Sequence, residues 1–280
     1  MIDIHTHILP GVDDGASEVN VTAAMLAMAQ CDGIQAIIAT PHANQQYSFD
    51  PFHNQAELRR VRTLCPVAPN LHLGCELNIT PENLHAAMND PSGYTLNGKD
   101  CLLVELPESF TPQAIDFSLQ LLIEAGFRPI IAHPERNGYI QRHPKYAKDI
   151  VSLGCFMQLT ASSLFGSFGK RAEEIAELLL NGRMAHFVAS DAHGVDNRRP
   201  LLKRAYERIA KNYGEATASL LLLENPLAVI DGTSISQISQ SRRSKFSLFF
   251  FGRSSLSSHT EQVKDIQRCA HSHSISTDKY

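Results

Sequence analysis

The stretch that decides the fold is Ile2-Asp-Ile-His-Thr-His7, in which a short apolar run ends in a His-x-His pair. Residues 2–6 have the length and the aliphatic content of a buried β-strand. Because residues i and i+2 of a strand point to the same face, His5 and His7 can bind one metal ion together. A second pair, His271-Ser-His273, lies in a polar segment without a strand pattern, and we interpret it as a chance occurrence.

Six further runs of strand length follow, and amphipathic segments lie between them. The predicted strands after the first are Ile34–Thr40, Leu71–Leu77, Cys101–Leu106, Pro129–His133, Cys155–Thr160 and Ala185–Ser190. The predicted helices are Glu18–Cys31, Pro51–Leu64, Pro81–Asn89, Pro112–Ala125, Pro144–Leu153 and Lys170–Leu180. Alternating strands and helices are typical of parallel βαβ units, which form either an open doubly wound sheet or a closed barrel. No Gly-x-Gly-x-x-Gly sequence follows the first strand, so a dinucleotide-binding fold gains no support.

Polar side chains at the carboxyl ends of these strands favour the barrel. Six of the seven predicted strands end at a histidine, a glutamate or an aspartate, and the exception ends near Gln158 and Thr160. In (β/α) barrels these strand ends converge on one face, where the active sites are built. We therefore predict an α/β fold in which seven βα units form a distorted TIM-like barrel. The residues expected at its mouth are His5, His7, His42, Glu76, Glu105, His133, Asp191 and His193.

Five histidines and three carboxylates in one mouth indicate a metal centre. Imidazole mixed with carboxylate suits Mn²⁺, Fe²⁺ or Zn²⁺ better than Mg²⁺ or Ca²⁺, which prefer oxygen ligands. The set is larger than one ion can use, so we predict two or three ions bridged by a carboxylate. Each residue alone has another interpretation, because a lone His42 or His133 is more often a hydrogen-bonded structural histidine and Glu76 or Glu105 can turn to solvent. Their shared position at strand ends favours the metal centre.

Composition limits the classes of function. The chain has 280 residues, 43% of them hydrophobic, which excludes global disorder. Its 25 basic and 29 acidic side chains give a formal net charge of -4, which argues against a dedicated nucleic-acid-binding protein. We find no secretory signal pattern and no apolar run near the roughly 20 residues of a membrane helix, so we expect a cytoplasmic protein. The six cysteines form no Cys-x-x-Cys pair, and we expect them to be reduced.

The composition changes after residue 232. Residues 233–280 are rich in serine and hold 7 basic and 3 acidic side chains, whereas residues 1–232 hold 18 and 26. We predict a catalytic domain over residues 1–232 and a disordered extension over residues 233–280. A basic and aromatic segment, Arg242–Arg253, has the composition of an interfacial membrane segment. A disordered extension with a sticky patch is the favoured interpretation of that segment.

These motifs resemble those of the PHP superfamily (polymerase and histidinol phosphatase), and within it the capsule-type, metal-dependent tyrosine-protein phosphatases of bacteria. The similarity covers residues 1–232 and keeps the family's order of motifs. The matching segments are Met1-Ile-Asp-Ile-His-Thr-His-Ile8, Gly11-Val-Asp-Asp-Gly15, Ala39-Thr-Pro-His42, Gly74-Cys-Glu76, Leu103-Val-Glu105, Ala132-His-Pro-Glu-Arg136, Ser190-Asp-Ala-His193 and Glu224–Gly232.

The resemblance implies a cluster of three divalent ions with Glu105 as a bridge and Mn²⁺ as the expected metal. It adds Asp14, which from the residues alone looks like half of a solvated Asp-Asp pair in a turn. It also implies that Arg136 and Arg198 grip a phosphate, which leaves Arg199 as a surface charge. The implied metal ligands are His5, His7, Asp14, His42, Glu76, Glu105, His133, Asp191 and His193.

The implied activity is hydrolysis of phosphotyrosine in a protein by a metal-activated hydroxide. The implied partner is a bacterial tyrosine autokinase of exopolysaccharide or capsule synthesis. No cysteine is followed six positions later by arginine, which fits a route without a phosphocysteine intermediate. Three alternatives stay open: a phosphatase of a small metabolite such as histidinol phosphate, a nuclease, and a catalytically silent metal-bound scaffold. The acidic character of residues 1–232 weakens the nuclease, and the complete ligand set argues against the scaffold.

Overall fold

The computed structural model describes residues 1–66 and 69–239 of the chain. Within these residues the strands are β1 (Ile2–Thr6), β2 (Ala36–Ala39), β3 (His42–Ala43), β4 (Asn70–Leu73), β5 (Glu76–Asn78), β6 (Cys101–Glu105), β7 (Arg128–Ala132), β8 (Phe156–Thr160) and β9 (Phe187–Ala189). The helices are α1 (Val19–Cys31), α2 (Pro51–Leu64), α3 (Pro81–Asn89), α4 (Pro91–Tyr94), α5 (Pro112–Glu124), α6 (Gly138–Arg142), α7 (Lys145–Ser152), α8 (Lys170–Asn181), α9 (Lys203–Tyr213), α10 (Glu215–Ser219) and α11 (Asn225–Asp231). Short 3₁₀ turns occur at Leu96–Gly98, Pro134–Arg136 and Ala161–Phe165, and a π-helix at Leu220–Glu224.

All paired strands run parallel, in the orders β1-β2-β4 and β3-β5-β6-β7-β8-β9. β2 and β3 together cover the predicted second strand, and β4 and β5 cover the predicted third strand. An isolated parallel bridge between Thr6 and Ala192 links the end of β1 to the segment that follows β9. The predicted α/β fold of parallel βα units is therefore confirmed.

The breaks in the second and third strands place two site residues opposite each other. Backbone hydrogen bonds continue across the breaks, from Gly74 N to Ala39 O at 2.8 Å and from Glu76 N to Pro41 O at 3.1 Å. Gly74 lies so close to Leu96 that a β-carbon on residue 74 would lie 2.5 Å from the Leu96 side chain. After the breaks, His42 and Glu76 are direct partners in the parallel register.

A β-bulge near the end of β1 redirects the chain toward the same face. Asp3 pairs with Ile37 but Thr6 pairs with Ala39, so β1 has one residue more than β2 between the two pairs. Bulges of this kind are common beside active sites, because they re-aim the side chains that follow. His5 lies within the bulge.

The core lies on both faces of the strands, which explains their nearly continuous apolar sequences. The larger cluster packs the strands against the surrounding helices, with Met25, Leu26 and Leu119 among its fully buried members. A smaller cluster contains Ile4, Phe187 and Val229 of α11. Cys75, Cys101 and Cys155 are buried, and the cysteines of the described residues are free thiols, as predicted.

The contacts of the described chain continue past the predicted domain boundary at residue 232. Ser236 N donates to Asn225 Oδ1 at 2.9 Å, and Arg128 donates to Thr233 O at 2.7 Å. Ile235 packs against the smaller apolar cluster. The segment Arg242–Arg253 lies outside the described residues. Among the described residues, every helix is too short or too polar to cross a membrane.

Candidate metal centre

The predicted ligands lie together at the carboxyl ends of the strands. Donor atoms of eight of the nine predicted ligands form three overlapping groups, within each of which the atoms lie within 4.8 Å of one another. His133, which follows β7, places Nε2 at 2.8 Å from Glu76 Oε1. The three groups are His5, His7, Glu76 and Asp191; His7, Asp14, His42 and His193; and His42, Glu76 and Glu105.

Glu76 lies at the centre of this cluster and is fully buried. Its Oε2 atom lies 3.1 Å from His5 Nε2, 3.2 Å from His7 Nε2 and 3.0 Å from His42 Nδ1. Glu105, which the resemblance implies as the bridge, belongs to only one of the three groups, and its Oε2 accepts a hydrogen bond from Asn78 at 3.2 Å. Glu76 is the carboxylate that two of the three groups share, and the bridging role of Glu105 stays a prediction.

Buried acceptor atoms face one another across the cluster. His5 donates from Nδ1 to Gln158 Oε1 at 2.9 Å, and His7 donates from Nδ1 to an Asp13 oxygen at 2.7 Å. With Nδ1 protonated, each neutral ring presents the lone pair of Nε2 to the cluster. Those lone pairs meet Glu76 Oε2 and Asp191 Oδ1, which have no hydrogen-bond partner among the described residues. Such an arrangement is costly when dry and fits shared cations.

The pKa shifts of the cluster show how strongly its charges are coupled. Burial raises the pKa of Glu76 and of Asp191, but nearby histidines lower both, and the two pKa values lie well below the ordinary range. Burial lowers the pKa of His7, whereas Asp13 raises it, and the resulting pKa lies well above its ordinary value. In the metal-free site the carboxylates are thus held ionised beside His5 and His7, whose pKa values lie above the ordinary value, so bound cations would displace protons from these histidines.

The turn between β1 and α1 contributes both members of the Asp-Asp pair. Asp14 is half exposed, and its Oδ1 lies 3.4 Å from both His42 Nε2 and His193 Nε2. Asp13, which the sequence does not distinguish from a solvated residue, is the buried one and supports His7 from behind. The turn packs tightly on the strand end, since a β-carbon on Gly15 would lie 2.0 Å from His7 O. The sequence carried no signal for Asp13, because burial of a loop carboxylate depends on the packed fold.

Two arginines border the cluster on one side. Arg136 Nη1 and Arg198 Nη2 both bind Asp191 Oδ2, the latter at 2.6 Å. Both guanidinium groups lie over the ring of Phe168, at 4.2 Å and 5.9 Å from its centroid. The predicted surface residue, Arg199, is exposed. Guanidinium groups are suited to bind oxyanions such as phosphate, and this role of Arg136 and Arg198 stays a prediction.

The backbone at the site is strained. His133, Asp191 and Arg198 have φ values of 33°, 53° and 50°, in the left-handed region that residues other than glycine rarely adopt. Residues held in such conformations cost of the order of 1–3 kcal/mol each and cluster at functional sites. The strain concentrates on the segments that carry candidate ligands and one arginine.

A buried carboxylate fixes the loop between His133 and Arg136. Glu135 accepts hydrogen bonds from Ser163 Oγ at 2.6 Å and from Thr160 N at 3.0 Å, and burial raises the pKa of its carboxyl group. This contact ties the loop after β7 to the end of β8. The sequence predicted no function for Glu135, because a charged residue between a histidine and an arginine suggests exposure rather than burial.

Two cavities adjoin the arginines, and Phe168 lines both of them. One, of about 470 Å³, lies on the side of Arg198, and the other, of about 250 Å³, lies beside Arg136, His133 and Glu105. The cluster is therefore accessible to a ligand larger than water. Its chemistry fits the coordination of several divalent ions next to an anion-binding pair of arginines.

Comparison with known proteins agrees with this geometry. The profile of the family described as "Capsular polysaccharide synthesis, CpsB/CapC" matches residues 1–231. The chain is 34% identical to the tyrosine-protein phosphatase YwqE of Bacillus subtilis over 259 residues, which cover 89% of this chain and 100% of that protein. It is 31% identical to the tyrosine-protein phosphatase CpsB of Streptococcus pneumoniae over 239 residues, 82% of this chain and 98% of that protein.

A solved structure is also similar. It comes from crystal structures of YwqE from Bacillus subtilis and CpsB from Streptococcus pneumoniae, described as unique metal-dependent tyrosine phosphatases. The match has a TM-score of 0.79 at 31% identity and covers 85% of this chain and 97% of that chain. The resemblance predicted from the sequence motifs is confirmed by these comparisons.

Proposed function

Because the chain belongs to the CpsB/CapC family of capsular polysaccharide synthesis, we propose that it is a metal-dependent protein-tyrosine phosphatase. It hydrolyses phosphotyrosine in a protein to tyrosine and inorganic phosphate. The observation that carries the proposal is the buried cluster of facing acceptor atoms around Glu76, bordered by Arg136 and Arg198. The names of the similar proteins and of the similar structure support a tyrosine phosphatase that depends on metal.

The proposed ligands of two or three divalent ions are the nine residues of the cluster. The mixed imidazole and carboxylate donors suit Mn²⁺, which we propose as the metal, with Fe²⁺ and Zn²⁺ as competitors. When bound, such ions supply Lewis-acid chemistry that favours ionisation of water near neutral pH and offsets phosphate charge. The proposed ligands are His5, His7, Asp14, His42, Glu76, Glu105, His133, Asp191 and His193.

The arginines orient the phosphate group. Arg136 and Arg198 share Asp191 Oδ2 and lie over Phe168, so their guanidinium groups are positioned before a substrate arrives. Their N–H groups can donate to the equatorial phosphate oxygens and stabilise the charge that these oxygens carry during transfer. Phenolate is a comparatively good leaving group, so the site needs no strong general acid beside the tyrosine oxygen.

Residues behind the ligands fix the protonation of the histidines. Gln158 accepts from His5 Nδ1, and Asp13 accepts from His7 Nδ1, so each ring holds a proton on Nδ1 and Nε2 is the nitrogen that can bind a metal. Gln158 lies in the middle of β8, the strand for which the sequence predicted no ligand. Its part in the proposed site is to orient His5.

We propose that the substrate is a phosphorylated bacterial tyrosine autokinase of exopolysaccharide or capsule synthesis, encountered in the cytoplasm. Support comes from the capsular family of the chain and from the relatives named as tyrosine-protein phosphatases. The test is release of phosphate from a phosphotyrosine peptide, a phosphoserine peptide and histidinol phosphate, with protein that has been stripped of metal and reloaded with Mn²⁺. The proposal predicts Mn²⁺-dependent turnover of the phosphotyrosine peptide above both other substrates.

The variants H5A and H7A test whether the cluster binds the metal and whether turnover depends on it, and the substrate panel separates the alternatives. We expect both to lose bound Mn²⁺, measured by elemental analysis, and to lose phosphotyrosine turnover. Preferred hydrolysis of histidinol phosphate would make the protein a metabolite phosphatase instead. Bound Mn²⁺ with no turnover of any phosphoester would make it a scaffold.

A further inference from the structure

Two positively charged side chains that line the cavity beside Arg198 have no part in the proposed reaction. It has a volume of about 470 Å³ and is lined by Arg198 and Phe168, which also border the candidate metal centre. Arg199 and Arg204 add two further guanidinium groups to its wall. Among the described residues that line the cavity, the only acidic one is Asp196. The cavity is therefore cationic and adjoins the place where we propose that the phosphate binds.

The two outer arginines are free to bind an anion. Arg199 donates from Nε to a backbone oxygen, Asp196 O, at 3.0 Å. Arg204 lies over the ring of Phe165, 3.9 Å from its centroid, and is exposed. Within residues 1–66 and 69–239, neither side chain forms an ion pair with a carboxylate, in contrast to Arg136 and Arg198. Their positive charge is thus not neutralised by the protein.

The aromatic side chains hold the arginines in position. Phe165 stacks with Arg204, and Phe168 lies beneath Arg136 with Arg198 nearby. A guanidinium group that contacts a ring through its central carbon still has N–H groups that can donate to a carboxylate or a similar anion. Because the group is fixed in advance, less conformational entropy is lost when the anion binds.

We propose that this cavity is a specificity subsite, which binds an anionic side chain of the substrate protein near the phosphotyrosine in sequence. This inference rests on the proposed phosphatase function and adds a preference for acidic surroundings to it. The metal centre and its two arginines take the phosphate, while Arg204 and Arg199 take the neighbouring anion. The ligand is an anionic side chain, either a carboxylate or an aromatic ester such as a second phosphorylated tyrosine.

The test compares phosphotyrosine peptides that differ in one neighbouring residue. One set carries a single glutamate at each of the three positions on either side, a second set carries glutamine there, and a third carries sulfotyrosine, a stable aromatic anion. The value of kcat/KM is measured on Mn²⁺-loaded wild-type protein, on R204Q and on R59Q. Arg59 is an exposed arginine on α2, outside the lining of this cavity, and serves as the matched control.

We expect at least one glutamate or sulfotyrosine position to raise kcat/KM by about two- to fivefold over glutamine in the wild type and in R59Q. The gain should disappear in R204Q and shrink at high salt, where exposed charges are screened. A larger gain for sulfotyrosine than for glutamate assigns the subsite to an aromatic anion, and the reverse assigns it to a carboxylate.

Two outcomes would overturn the subsite while leaving the phosphatase intact. One is equal kcat/KM for the anionic and neutral peptides in the wild type. The other is an R204Q variant that slows all peptides alike, which would place the phosphotyrosine ring itself in the cavity. Failure of every phosphotyrosine peptide to react, while another phosphoester is hydrolysed, would instead overturn the proposed function and this inference with it.

Discussion

Replacing Asp13 by asparagine tests how the candidate metal centre is held from behind. Asp13 Oδ2 lies 2.7 Å from His7 Nδ1, and both side chains are buried. The carboxylate keeps a ring proton on Nδ1, so Nε2, which faces the cluster, is the nitrogen available to bind a metal. An asparagine amide can donate to Nδ1 instead, which moves the ring proton to Nε2 and removes His7 as a ligand.

The expected loss of Mn²⁺ affinity in D13N depends on the other contacts of Asp13. The oxygen that binds His7 also accepts from His42 N at 3.2 Å, and the second oxygen accepts from Gly15 N at 3.0 Å. Either orientation of the amide therefore points its NH₂ group at a backbone donor. Partners of this kind change metal affinity by about 10–100-fold, and we expect D13N to lie in the upper half of that range. This corresponds to a loss of about 2–3 kcal/mol of binding free energy.

The assay is calorimetric titration of metal-free protein with Mn²⁺, followed by phosphotyrosine turnover at saturating Mn²⁺. The matched control is D149N, which removes an exposed carboxylate on α7. We expect D13N to bind Mn²⁺ about 30–100-fold more weakly than the wild type and to regain part of its turnover at high Mn²⁺. D149N should behave as the wild type does. A D13N variant with Mn²⁺ affinity within about twofold of the wild type would refute the reasoning, since the effect of such partners is larger.

Three further predictions concern stability, each measured by urea unfolding of metal-free protein. G15A should be destabilised by about 1–3 kcal/mol, because its β-carbon would lie 2.0 Å from His7 O; unchanged stability would show that the turn yields. E135A should lose about 2–4 kcal/mol of unfolding free energy, because two buried donors lose their acceptor. E135Q keeps an oxygen at that position and should lose about 1 kcal/mol. Equal losses in the two variants would contradict this account. Burial lowers the pKa of His186 from 6.5 to about 4, so protonation favours the unfolded state and stability falls as the pH drops from 6.5 toward 4. Between pH 8 and pH 5 this component amounts to about 2 kcal/mol. The loss of stability over this range should be smaller by that amount in H186Q and unchanged in the exposed-residue control H53Q, and a loss in H186Q equal to that of the wild type would contradict the assignment.

The strands could be predicted from the sequence because they are buried on both faces and carry continuous apolar runs. Helix α9 is absent from the predicted helices, and its start shows why. The residue at its amino end, Leu202, gives no side-chain cap. Instead Asp32, at the end of α1, accepts from the backbone N–H groups of Leu202 and Lys203 at 2.6 Å and 2.8 Å. Because the capping carboxylate belongs to a residue 170 positions earlier in the sequence, the residues around Leu202 show no capping motif.

Some residues of the candidate site could also be predicted from the sequence, and others could not. Residues at strand ends, such as His5, Glu76 and His133, could be placed from the alternation of elements, because parallel strands bring their carboxyl ends together. Asp14 needed the family resemblance, since a turn has no periodicity. Asp13 and Gln158 could not be predicted, because a supporting residue is defined by the ring nitrogen that it contacts. Such contacts depend on the complete fold.

The central claim is that the cluster around Glu76 binds several divalent ions for phosphotyrosine hydrolysis. Its most direct test is anomalous diffraction at the manganese edge from crystals of the protein grown with Mn²⁺. We predict two or three anomalous peaks among the nine proposed ligands, with Glu76 contacting at least two of the ions. Peaks located elsewhere, or no peak beside Glu76 in crystals of protein that hydrolyses phosphotyrosine, would contradict the claim.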